Sequence, residues 1–87
     1  MNNLIGYKIP SRLSNSFGLE VWDWSEEFGS YLVKGINWTT GVYSARDPFW
    51  IRKELIYLAY NENEIIELDS VSKSIREAYL ATGNYFG

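Results

Sequence analysis

The chain reads as an α+β fold, a small antiparallel sheet packed against one C-terminal helix. Three observations predict it. Alternating apolar runs flank a turn between residues 17 and 37, a second pair of extended runs flanks Asn61–Glu64, and apolar residues recur at helical spacing from Val71 to Thr82.

Taken in order, Met1–Pro10 holds an extended piece around Leu4–Ile9, and the polar run Ser11–Ser16 follows as a loop. The first hairpin spans about residues 17–37. In its first strand Leu19 and Val21 share a face with Asp23, while Glu20, Trp22 and Trp24 share the other. Ser25–Gly29 makes the turn, and the returning strand sets Tyr31 and Val33 against Leu32 and Ile36. Thr39-Thr40-Gly41 is a further turn, and Val42–Ser44 adds a short strand.

The second hairpin is placed at about residues 54–69. Glu54–Tyr60 is apolar on both faces, Asn63 tolerates the left-handed backbone of a tight turn, and Ile65–Asp69 returns. Asp47-Pro48 supports an alternative, because an N-cap followed by proline opens helices. On that reading residues 48–60 form a second helix with Ile51, Leu55, Leu58 and Ala59 as its stripe. The C-terminal helix covers about residues 70–82. Val71, Ile75, Ala78, Tyr79 and Thr82 make its apolar stripe, Asp69 or Ser70 its N-cap, and Gly83 its terminator.

With 87 residues, 46% hydrophobic and 22% charged, the chain is expected to form one globular domain over 1–87. No apolar run approaches the roughly 20 residues of a membrane span, and the N-terminus lacks the pattern of a secretory leader. The absence of cysteine fits a cytoplasmic location. A net charge of −3 is too mild to name a partner.

Several predicted strands are apolar on both faces, whereas an antiparallel sheet that meets water keeps one face polar. The second face must therefore be closed by curling into a barrel, by a helix from Pro48 onward, or by another molecule.

Without histidine or cysteine, a Ser-His-Asp triad, a cysteine nucleophile and the common zinc sites are excluded. The glycines lack the spacing of a phosphate loop. Glu26 with Glu27, and Glu67 with Asp69, read as solvated carboxylates. The expectation is no enzyme, no cofactor and no metal site.

Contact surfaces are better represented, since aromatic residues reach 17%. Trp38, Tyr43, Arg46, Phe49, Trp50, Arg52 and Lys53 mix rings with cations, as protein hot spots and single-stranded nucleic-acid surfaces both do. Glu62, Glu64, Glu67 and Asp69 form a prospective acidic ridge, with edge-strand solubility as its plainer reading. The expected function is non-catalytic protein binding through an aromatic-rich sheet face with adjacent charges. By class analogy this is the role of a small inhibitor or regulatory protein of the phage or immunity type. The alternatives are a nucleic-acid-binding module using residues 34–53 and a self-assembling structural protein. The expected partner is thus another protein or a second copy, with nucleic acid behind it and no membrane.

Overall fold

The computed structural model describes residues 4–11, 16–59 and 64–82. Its elements are β1 (Tyr7–Pro10), β2 (Phe17–Ser25), β3 (Ser30–Asn37), β4 (Phe49–Arg52), α1 (Lys53–Ala59), β5 (Ile66–Glu67) and α2 (Ser70–Thr82). All strand pairs are antiparallel and the sheet order is β4-β3-β2-β1-β5. The fold is the α+β arrangement predicted, with one more short helix. Because β4 and β5 lie at opposite ends, the sheet is open and the barrel option is set aside.

The β2–β3 hairpin is the spine. Its strands pair from Phe17↔Asn37 to Ser25↔Ser30, and Gly29, at φ +58, supplies the left-handed residue that its turn requires. The register shifts between Val21 and Asp23, so Trp22 is an extra residue in β2. This bulge corrects the predicted alternation. Strict period two puts Trp22 and Trp24 on one face. The inserted residue instead turns Trp24 toward Tyr31, at 4.6 Å between ring centroids, on the same side as Val21 and Val33.

That side carries the core. Leu4, Ile9, Leu19, Val21, Tyr31, Val33 and Ile56 form one buried cluster, with Trp24, Phe49, Ile51 and Tyr57 packed against it. The helix that closes it is α1. Residues 54–60 were expected to be the first strand of a hairpin ending near 69; Lys53–Ala59 is helical instead, and Ile66–Glu67 pairs with β1. The 48–60 helix reading is right only in its second half, because Phe49–Arg52 finds the free edge of β3 and pairs there. The physical reason lies in Ile56, which is fully buried while Leu55 and Leu58 are 50% and 74% exposed. A strand places Ile56 and Leu58 on one face; a helix separates them. Residues 61–63 of the turn expected over Asn61–Glu64, and the Gly83 terminator, lie outside the described residues.

The C-terminal helix occupies the span expected of it. Its N-cap is Asp69, whose carboxylate accepts the Ser72 amide at 2.8 Å. Its apolar stripe is less sheltered than its spacing implies, since no residue of α2 is buried and Val71 and Ile75 are 67% and 40% exposed. Among the described residues no helix is long and apolar enough to cross a membrane.

Two outcomes follow from these assignments. Ile56→Ala should cost about 2–5 kcal/mol in urea unfolding. Leu58→Ala should stay within about 0.5 kcal/mol, as surface changes do; similar costs for the two would restore the strand. The Ser72 amide holds the Asp69 carboxyl below its usual range. The stabilisation is therefore present above the ordinary Asp range and lost as pH falls through the lowered value. Far-UV circular dichroism of the wild type should show helix lost on acidification, and Asp69→Asn should reduce that dependence.

Candidate functional site: the second face of the sheet

The face opposite the core is not an aliphatic layer. Cross-strand pairing sets Lys8, Glu20 and Lys34 side by side across β1, β2 and β3, with Leu32 and Ile36 further along β3. Glu20 is fully buried. Its Oε1 accepts two hydrogen bonds, from Trp22 Nε1 at 3.0 Å and from the Tyr43 hydroxyl at 2.8 Å. Among the described residues Oε2 has no hydrogen-bond partner. The neighbouring lysines are committed elsewhere. Lys8 Nζ lies 5.2 Å from the centroid of the Trp38 ring, and Lys34 Nζ donates to the Arg46 carbonyl at 2.6 Å.

Tyr43 reaches the carboxylate because the loop after β3 folds back on its own strand. Asn37 Oδ1 accepts the amides of Thr39 and Thr40 at 2.9 and 3.0 Å, as side-chain-stabilised turns do. Asn37 N then donates to Val42 O, Ser44 N donates to Gly35 O, and Tyr43 bridges Ile36. Trp38, at the start of the loop, lies over Gly18. A Cβ on that glycine would stand 2.7 Å from the indole and 2.8 Å from the Ile9 carbonyl. The close approach requires glycine.

Helix α2 lies over this cluster. The Tyr79 ring sits 5.3 Å from Trp22, which Tyr43 meets edge-on at 6.3 Å. Arg76 Nε donates to the Trp22 carbonyl at 2.6 Å. Burial pushes the Tyr43 phenol up to about 12; the nearby Ser72 side chain opposes the rise and the Glu20 carboxylate adds to it.

The residues singled out in the sequence do not form one surface. Alternation along β4 turns Phe49 to the core side, opposite Val33, and turns Trp50 and Arg52 to the second face, opposite Leu32 and Ser30. Arg46 stacks on Phe49 at 3.9 Å, and Lys53 lies 5.9 Å from Trp24. Trp38 and Tyr43 belong to the Glu20 neighbourhood. Trp50 and Arg52 instead line a groove of about 420 Å³ with Phe28 and Ser30 at the β4 end of the sheet. Of the acidic ridge, Glu62 lies outside the described residues, Glu64 is exposed, Glu67 pairs with Lys73 at 2.7 Å, and Asp69 caps α2.

Glu20, Trp22, Phe28, Arg76 and Tyr79 are not among the binding residues expected from the sequence, which placed Glu20 and Trp22 on a strand face and Tyr79 in the stripe of the C-terminal helix. A carboxylate between Leu19 and Val21, in a strand expected to be covered on both faces, was the available signal for Glu20. The chain matches no family model, no curated protein and no solved structure.

Removing one donor from a buried carboxylate costs about 1–3 kcal/mol, so Tyr43→Phe should destabilise the chain by that amount in urea. The raised phenol sets a sign at alkaline pH. Its stabilisation is complete below the ordinary tyrosine value near 10 and is lost as pH rises toward about 12. Tyrosinate absorbance should show a late-titrating phenol in the wild type that is missing from Tyr43→Phe.

Proposed function

We propose that the chain is a non-catalytic protein-binding domain whose contact surface is the β4 end of the second sheet face. The observation that carries this reading is the groove of Phe28, Ser30, Trp50 and Arg52 beside a terminal strand. Phe28 is 68% exposed and Arg52 is exposed at the rim. Tryptophan and arginine around a concave site are the composition of protein hot spots. An end strand is where an extended segment of a partner adds to a sheet.

Protein is favoured over nucleic acid by what the cations do. Arg46 is stacked on Phe49, and the Lys34 ammonium is bound to the Arg46 carbonyl. A phosphate backbone is tracked by a row of cations facing outward together. Here the basic residues are divided between the two faces, and the overall charge is −3.

The test compares proteins captured from the native host by the tagged wild-type chain, by Trp50→Ala and by Leu58→Ala. A partner held by the wild type and by Leu58→Ala, but lost on Trp50→Ala, is the expected result. With the partner purified, the loss at Trp50 should reach about 30-fold or more, the scale of a hot spot. Equal retention by all three would remove this surface from consideration.

A further inference from the structure

Glu20 poses a problem that its own neighbours leave open. A buried carboxylate is costly unless donors surround it, and an unpaired buried polar atom calls for a specific explanation. Both donors reach Oε1, while the ammonium groups of Lys8 and Lys34 are engaged with Trp38 and the Arg46 carbonyl. The carboxylate with the unpaired Oε2 is bonded by Trp22 and Tyr43; the Trp22 ring meets those of Tyr43 and Tyr79, and the Trp22 carbonyl accepts Arg76. Acceptor oxygens walled by aromatic rings are complementary to a planar cation.

The chain already places such a group at the rim. Arg76 of α2 donates through Nε to the Trp22 carbonyl at 2.6 Å. Yet α2 has no buried residue among its thirteen, and it leaves Val71 and Ile75 exposed. A helix of that length is marginal alone, and elements with little apolar burial open before the rest of a fold.

We propose that the acceptors beneath α2, Glu20 Oε2 and the Trp22 carbonyl within the rings of Trp22, Tyr43 and Tyr79, form a binding site for the guanidinium group of a partner protein's arginine. α2 lifts to admit it, and the incoming group replaces Arg76. The site is separate from the Phe28–Trp50–Arg52 groove and stands or falls without it. In the free chain Arg76 acts as a tethered competitor, since a short tether supplies an effective concentration on the order of millimolar. The bond from Trp22 Nε1 to Glu20 makes the Trp22 indole N–H a direct reporter.

Hydrogen exchange on the wild type tests the opening. Amides of α2 should exchange about 100-fold or more faster than those of the β2–β3 pair, and equal protection would overturn the proposal. Binding is tested by following the Trp22 indole resonance during titration of Arg76→Ala with methylguanidinium. A saturable shift is expected, about tenfold or more weaker in the wild type because of the tethered competitor. It should also weaken about tenfold or more when Glu20→Gln is added, as expected for losing a charge-assisted bond. No saturable shift, or one indifferent to Glu20→Gln, would refute the site. If Arg76→Ala does not fold, Arg76→Gln carries the same titration. Acetyl-Gly-Arg-Gly-amide separates a protein-borne guanidinium from a free small molecule. Tighter binding than methylguanidinium supports a partner chain, and equal or weaker binding overturns that source.

Discussion

A carboxylate enclosed in the middle of a five-stranded sheet constrains everything near it. Glu20 has to be given donors where water cannot supply them, and two come from different parts of the chain. Trp22 is brought alongside by the bulge in β2, and Tyr43 by the fold-back of the loop after β3. Helix α2 then rests on Trp22 through the Tyr79 ring and the Arg76 side chain. Because these contacts are polar and aromatic, they fix orientation more than they bury apolar area.

The two faces of the sheet are therefore built by different physics. On one side aliphatic residues from β1, β2 and β3 meet Ile56 of α1 in a buried cluster. On the other, a charged group and its donors hold a helix that buries none of its own residues. Of the closures open to a sheet apolar on both faces, the structure shows a helix after Pro48. α1 supplies the missing cover for the aliphatic face. The opposite face departs from an ordinary core because a carboxylate occupies it, and three of the four indoles, those of Trp24, Trp38 and Trp50, remain partly accessible.

Legibility in the sequence followed the strength of local patterns. The β2–β3 hairpin was readable because a long alternation is broken once by Ser25–Gly29, and α2 because its cap and spacing agree. Residues 48–60 were not, since a run apolar on both sides satisfies strand and helix equally. The chain resolves the conflict by dividing it: Phe49–Arg52 takes the edge that β3 offers, and Lys53–Ala59 turns Ile56 inward. The candidate site was read from composition along residues 34–53. Alternation in β4 then separated Phe49 from Trp50, a division that composition cannot report.

By itself the sequence determined the class of fold, the main hairpin, the C-terminal helix and the lack of histidine or cysteine chemistry. Each of these depends on residues near one another in the chain, or on residue types alone. Tertiary structure decided which face Trp24 joins, which half of 48–60 becomes helix, and that Glu20 lies buried between Trp22 and Tyr43. Those outcomes turn on partners many positions away: a bulge is defined against the opposite strand, and a buried charge by donors from another loop. Local periodicity records what a segment can bury, whereas only the assembled sheet determines what it meets.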